Sequence, residues 1–181
     1  QAAFRSGVIY SDDHGSTWSR PRELGEVKFP EGFSFLGMYT TRLVETHAGT
    51  LLLFAFASNA EGYETLHGRT EELHSVPTGM NLCLRSTDNG MTWSEPIDID
   101  GPPYDDTSWT IRRPGSEISV TQTANGGLLA LVRPWASPMM WESWSHDDGE
   151  TWTPLARGPF PMYACYNSII TTTSGVVLIA G

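Results

Sequence analysis

Cysteine is scarce: the 181-residue chain contains only Cys83 and Cys165. Two thiols make neither a disulfide framework nor a zinc motif, and two buried free thiols are expected over a single bridge. Long apolar runs are missing too. No stretch approaches the roughly 18–20 residues of a membrane-spanning helix, and no membrane partner is expected. Basic residues are few, with 11 Lys and Arg against 21 Asp and Glu and a net charge of −10. That balance argues against nucleic acid or an anionic lipid surface as a partner. It leaves room for an acidic sugar, because a local arginine cluster can bind a carboxylate inside an acidic protein. Helical periodicity is weak throughout. In its place stand 18 glycines and 12 prolines, many in turn-forming pairs, which suits an all-β chain. Hydrophobic content of 39% is enough for a globular core. No targeting segment is visible. The sequence opens inside a strand-like stretch (4–10) and ends inside another (176–180), so it reads as a piece of a longer chain. The lack of a leader then says nothing about the parent.

What is present is a repeat. Ser145-His146-Asp147-Asp148-Gly149-Glu150-Thr151-Trp152 shares S-x-D-x-G-x-T-W with Ser11-Asp12-Asp13-His14-Gly15-Ser16-Thr17-Trp18 and Ser86-Thr87-Asp88-Asn89-Gly90-Met91-Thr92-Trp93. Ser, Asp and Gly within five positions make a tight turn, in which the Asp side chain accepts turn amides and Gly permits positive φ. Thr and Trp then start a strand. Each copy is therefore expected to be a self-bonded turn plugged by an indole, with a role in stability.

These repeats resemble the Asp boxes of the sialidase (neuraminidase) superfamily, which sit between the third and fourth strands of propeller blades, and the resemblance implies a division of this chain into such blades. The copies lie farther apart than the ~40–50 residues of a bare four-stranded blade, so the units carry long loops. With strands A to D per unit, segments 4–11 and 16–24 read as C and D of a half-blade within 1–24. A full blade over 38–99 has A at 38–46, B at 50–57, C at 80–86 and D at 91–99. A second full blade over 117–156 has A at 117–124, B at 127–133, C at 139–145 and D at 150–156. Segments 164–172 and 176–180 read as A and B of a half-blade within 164–181. Two whole blades and two halves leave sheet edges to be covered. Missing blades are expected from the parent chain or from a symmetric homodimer that closes a six-bladed ring.

Strands alternate direction, so the A–B turns and the repeated C–D turns share one end. The long segments (58–79, 100–116, 134–138) share the other, where functional residues held by a rigid scaffold are expected. Aligned on Gly49 and Gly126, the blades differ at two positions on that end: Glu117 stands where the earlier blade has Thr40, and Arg133 where it has Phe56. Adjacent antiparallel strands bring Glu117 and Arg133 together. On strand geometry alone, the pair can simply be an ion pair that closes two strands.

The three S-x-D-x-G-x-T-W segments resemble the Asp boxes of the sialidase (neuraminidase) superfamily. Gly115-Ser116-Glu117-Ile118, followed by Gly127-Leu128-Leu129-Ala130-Leu131-Val132-Arg133 and a box, resembles the sialidase blade that supplies two active-site groups. The resemblance implies an all-β, sialidase-type six-bladed β-propeller, of which this chain supplies about three blades. It implies part of an exo-α-sialidase-like glycoside hydrolase acting on sialylated or other acidic glycans, retaining through a tyrosyl intermediate. Glu117 is then the base that helps ionise the nucleophilic tyrosine, and Arg133 one member of an arginine clamp on the substrate carboxylate. Both roles make chemical sense. A sugar carboxylate calls for bidentate guanidinium donors, and tyrosine is a poor nucleophile unless a carboxylate takes its proton. No cofactor or metal is implied.

Departures from the family pattern are clear. An Arg-Ile-Pro-like segment, the acid/base Asp, a third Arg and the nucleophilic Tyr find no match. Arg42 is three residues out of place for the first of these, and no role is carried to it. Arg112-Arg113-Pro114 reads as a solvated basic loop or a substrate contact. Tyr163 and Tyr166 read as core or rim aromatics. Trp135, in the loop after Arg133, is a candidate substrate-binding residue that could stack on a sugar ring or only cover the mouth of the ring. Tyr104, Asp105, Asp106 and Trp109 suit carbohydrate binding or a plain exposed loop. His67, Glu71, Glu72 and His74 match no metal motif and read as a solvated lid. Trp141 and Trp144 read as blade packing. A glycan-binding propeller without hydrolysis, or another propeller glycosidase or lyase, stays open beside the sialidase reading. The compartment is not fixed by the sequence, with a secreted or periplasmic parent favoured.

Overall fold

A computed structural model describes residues 7–24, 42–58, 79–100, 117–133, 139–161 and 167–181. Every regular element among them is a strand, and the strands form four antiparallel sheets. The first is the pair β1 (Gly7–Val8) and β2 (Arg22–Glu23). The second runs β3 (Leu43–Glu45), β4 (Leu51–Ser58), β5 (Gly79–Ser86) and β6 (Ile97–Asp98) in sequence order. The third runs β7 (Ile118–Gln122), β8 (Leu128–Val132), β9 (Met139–Ser145) and β10 (Ala156–Pro161), again in order. The pair β11 (Ser168–Thr171) and β12 (Val177–Ala180) is the fourth. Four-stranded meanders flanked by two-stranded halves are the units of a propeller.

The sheets stack face to face, as their sequences require. β4 and β8 carry unbroken apolar runs, Leu51-Leu52-Leu53-Phe54-Ala55 and Leu128-Leu129-Ala130-Leu131-Val132, in which Leu52 to Ala55 and all five residues of β8 are buried. Both are second strands, sandwiched between neighbouring blades, so no alternation with polar residues is possible. Leu52 and Phe54 pack with Ile118, Val120, Leu128, Ala130 and Val132 between the second and third sheets. Leu129, Leu131 and Met140 pack with Ile169 between the third and fourth. Leu53, Ala55 and Leu84 take Leu24 and Trp93 on the side of the first. Cys83 is a buried free thiol, and burial pushes its pKa up to about 12, so it packs as an inert small hydrophobe. Cys165 lies outside the described residues.

The three repeated turns are nearly superimposable in their bonding. In each, the Asp accepts the Thr backbone N–H (Thr17 to Asp13 at 2.8 Å, Thr92 to Asp88 at 2.9 Å, Thr151 to Asp147 at 2.9 Å). Its second oxygen accepts the same threonine's hydroxyl. The Ser hydroxyl donates to the Asp and accepts the Gly N–H. Two consecutive left-handed residues turn the chain: His14-Gly15, Asn89-Gly90 and Asp148-Gly149. At Gly149 this conformation (φ +84°) is combined with tight packing, because a Cβ there would lie 3.0 Å from Leu52 Cδ2. Gly149→Ala should therefore cost about 1–3 kcal/mol, measurable by urea unfolding. A cost below a few tenths would mean that the turn does not seat on Leu52.

Those hydrogen bonds hold the box carboxylates ionised. The Thr17 and Ser11 donors lower Asp13 to about 2, and the Thr92 and Ser86 donors lower Asp88 to about 2, from an ordinary value of 3.8. At Asp147 burial pushes the pKa up, but bonds from Thr151 and Ser145 outweigh it and the net shift is downward. A carboxyl depressed by folding adds stability that is complete above the ordinary value and is lost as pH falls through the folded one. The melting temperature should accordingly fall between about pH 4 and pH 2, and Asp88→Asn should flatten that fall while lowering stability at neutral pH. An unchanged acid profile in the variant would contradict the linkage.

The fourth strands differ from expectation. Pairing in the second sheet is confined to Ile97–Asp98, and in the third it starts only at Ala156 and runs to Pro161. The cause lies just after each box tryptophan. Ser19, Ser94 and Thr153 donate their backbone N–H to the third strand (Tyr10, Arg85 and Trp144 carbonyls), while their hydroxyls accept the N–H of those same residues. A side chain thus replaces one rung of the ladder, and a proline at 96 or 154 delays regular pairing further.

Candidate functional site

The two ends of the blades are chemically distinct. At one end lie the boxes and the A–B turns: Thr50 donates its hydroxyl to Asp148, and the His47 N–H reaches the Gln122 side-chain oxygen at 2.6 Å. Arg85 grips the next blade's box through the Asp148 carbonyl (3.0 Å) and the Glu150 carboxylate (3.2 Å). All these contacts tie blade to blade. Trp93 and Trp152 are half-buried against the apolar layers, and Trp152 meets Phe54 edge-to-face at 5.8 Å. Trp18 stays 61% exposed, because among the described residues no sheet precedes the first pair.

At the other end stands the candidate pair. Glu117 and Arg133 lie one step beyond the last ladder partners, Ile118 and Val132, and the Arg133 N–H donates to the Glu117 carbonyl at 3.1 Å. Directly opposed residues on antiparallel strands present their side chains to the same face. The result is a two-point contact: Arg133 donates from Nε to Glu117 Oε2 and from Nη2 to Oε1, the latter at 3.1 Å. Each side chain is 17% exposed. The fork geometry orients both groups at the rim of the sheet, away from the boxes.

Two partners of this rim went unrecognised in the sequence. Arg42, which precedes β3, extends across the third blade. Its Nη2 donates to Ser119 Oγ at 3.3 Å and to the Asn167 carbonyl at 2.7 Å. Ser119 Oγ also donates to that carbonyl, at 2.5 Å. Asn167, which precedes β11, is 1% exposed and places its side-chain amide 3.8 Å from the Met140 sulfur. Three successive blades thus meet in one polar cluster beside the Glu117–Arg133 pair. Counting from the A–B turns would have aligned Arg42 with Ser119 and Ser168, yet nothing local shows that a side chain reaches two blades away.

Several sequence candidates lie outside the described residues: Trp135, Arg112-Arg113-Pro114, Tyr104, Asp105, Asp106, Trp109, His67, Glu71, Glu72, His74, Tyr163 and Tyr166. Trp141 is buried in the layer between the second and third sheets, and Trp144 packs on the opposite layer and stacks on His146 at 6.2 Å. Among the described residues no group of three or more His, Cys, Asp or Glu could hold a metal ion, and no helix is long and apolar enough to cross a membrane.

The family model described as a BNR repeat-like domain matches residues 1–180. The chain belongs to the BNR repeat-like domain family. Several solved structures similar to this BNR repeat-like chain are named as sialidases or trans-sialidases. A Hadza microbial sialidase matches with a TM-score of 0.63 at 23% identity, covering 96% of this chain and 34% of that one. A mutant of the NanB sialidase from Streptococcus pneumoniae matches with a TM-score of 0.59 at 16% identity, over 91% of this chain and 21% of that one. The leech intramolecular trans-sialidase matches with a TM-score of 0.60 at 22% identity, over 91% and 21%. The BNR repeat-like chain therefore spans between about a fifth and a third of the length of these structures. At such identities the likeness shows the fold, a partial sialidase-type β-propeller. A search of curated proteins matched none.

Proposed function

We propose that this chain is part of an exo-α-sialidase-like glycoside hydrolase acting on sialylated or other acidic glycans. The single observation that supports this reading most is the forked Glu117–Arg133 contact at the long-loop rim of a BNR repeat-like blade. In the proposal Arg133 binds the substrate carboxylate, for which a planar guanidinium is suited. Glu117 takes the proton of a tyrosine nucleophile supplied from outside the described residues, and Trp135, itself outside them, is the candidate to stack on the sugar ring. The pair keeps both groups oriented until substrate arrives, and the incoming carboxylate then shares or displaces Glu117 on the guanidinium. The acid/base group and the nucleophile are taken to come from the rest of a longer protein. The test is turnover of a fluorogenic α-sialoside by the complete protein; no turnover, with the protein folded, removes the hydrolase reading.

One observation favours a second reading. Glu117 is already gripped at both oxygens by Arg133, which suits a structural ion pair in a glycan-binding propeller without hydrolysis, or a propeller glycosidase or lyase that uses other groups. Binding of N-acetylneuraminic acid without turnover would select it.

We also propose that further blades complete the ring. Ile170 and Leu178 are 55% and 50% exposed on the last two-stranded sheet, and Ile9 and Tyr10 are 51% and 54% exposed beside the first. These half-sheets are complementary in kind, first and second strands at one end, third and fourth at the other. The 181-residue chain alone should associate through them as a two-fold dimer in solution, checked by light scattering. A monodisperse monomer would assign the completing blades to the parent chain.

A further inference from the structure

We propose that Arg42 is an anion-binding residue of the rim in its own right, separate from the Glu117–Arg133 pair. Arg85 is matched by Asp148 and Glu150, and Arg133 by Glu117. Arg42 is half-buried and, among the described residues, has no carboxylate within ion-pair distance; its acceptors are a serine hydroxyl and a backbone carbonyl, both on Nη2. Among the described residues no acceptor is bonded to its Nε or Nη1. In a chain with 21 acidic residues, a half-buried guanidinium served only by neutral oxygens retains most of its appetite for an anion.

Position supports the same conclusion. Arg42, Ser119 and Ser168 each stand four residues before the threonine that opens an A–B turn (Thr46, Thr123, Thr172). At this level of the inner strands the second blade carries a long cation where the third and fourth carry a small hydroxyl. The space left by Ser119 lets the arginine lie across β7, and the Asn167 carbonyl braces its end. Ser119 is two residues from Glu117, on the same side of the strand, so Arg42 lies about 7 Å, one pleat, below the pair. The guanidinium is thus held from two blades by a single nitrogen while its remaining edge faces away from those bonds. A carboxylate or sulfate oxygen fits that edge, and the shared chemistry is an anionic oxygen group on a glycan.

Anion binding at Arg42 does not require hydrolysis and is measured without it. Sodium sulfate and sodium glucuronate are titrated into the intact protein while the arginine Nε–H signals are followed by NMR. The Arg42 signal should shift at lower anion concentration than any other arginine, with saturation. Arg42→Gln should weaken binding of both anions at least tenfold, Arg42→Lys severalfold, and Arg85→Gln, at the box end of the blades, less than twofold. If Arg42→Gln fails to fold, the wild-type titration and Arg42→Lys still decide. All arginine signals moving together without saturation, or Arg42→Gln binding like wild type and showing only a lower melting temperature, would overturn the proposal and leave Arg42 as a brace between blades. Tighter binding of glucuronate than of sulfate by the wild type identifies a carboxylate site; the reverse identifies a sulfate site.

Discussion

Glu117→Ala in the complete protein should lower kcat on a fluorogenic sialoside by about 10²–10⁴-fold, the usual contribution of a positioned base, and leave KM within a few-fold. Arg133→Ala should act mainly on KM. Losing a charged two-point contact to the substrate carboxylate costs about 1.5–3 kcal/mol, roughly tenfold to a hundredfold in affinity. The two side chains are bonded to each other, so each change also strands its partner. At 17% exposure for both, that adds a stability cost of about 1–3 kcal/mol, below the cost of breaking a fully buried pair. Glu117→Gln separates these effects. It keeps size and some hydrogen bonding but cannot take a proton, so kcat should fall as far as in Glu117→Ala while the melting temperature falls less. A pair with a purely structural role behaves in the opposite way: melting temperatures drop in all three variants and kcat does not follow. Normal kcat and KM in folded Glu117→Ala and Arg133→Ala would refute the assignment of both residues.

The second large effect is on stability. Phe54→Ala should cost about 3–5 kcal/mol, the range for removing a fully buried aromatic. Phe54 is 0% exposed and packs in the layer between the second and third blades, with its ring edge-to-face on Trp152 at 5.8 Å. Its loss opens a cavity between two sheets that are each internally hydrogen-bonded and cannot collapse onto the gap. Trp152 loses its aromatic partner as well, so the native tryptophan emission should shift to the red. Chemical denaturation followed by fluorescence reads both quantities at once. A cost under about 1 kcal/mol would mean that these two blades do not share a core.

Much of the architecture was legible in the chain, and the reason is local. An Asp-box turn satisfies its own hydrogen bonds within seven residues, so Asp13, Asp88 and Asp147 announce the geometry that the structure shows. The continuous apolar runs at 51–55 and 128–132 likewise mark strands covered on both faces. Fourth strands were less legible. Ser94 and Thr153 spend a hydroxyl on the third strand's backbone, and a propensity reading does not see a side chain standing in for a ladder bond. Of the candidate site, Glu117 and Arg133 could be placed opposite one another because strand pairing is a matter of counting. Arg42 could not be placed, since its partners Ser119 and Asn167 are far along the chain.

The sequence by itself determined the class of the protein: strands, three self-bonded corners, blades in order, and an acid and a guanidinium facing each other at one rim. These follow from interactions within a turn or between neighbouring strands, where the chain's own connectivity limits the choices. Only the tertiary structure decided which charges are matched and which are not. Arg85 was drawn onto the next blade's box, Arg133 onto Glu117, and Arg42 across two blades onto neutral oxygens. Such pairings depend on how the blades rotate about a common axis, and that rotation is set by side-chain packing between the sheets, with no signature in any single stretch of the chain.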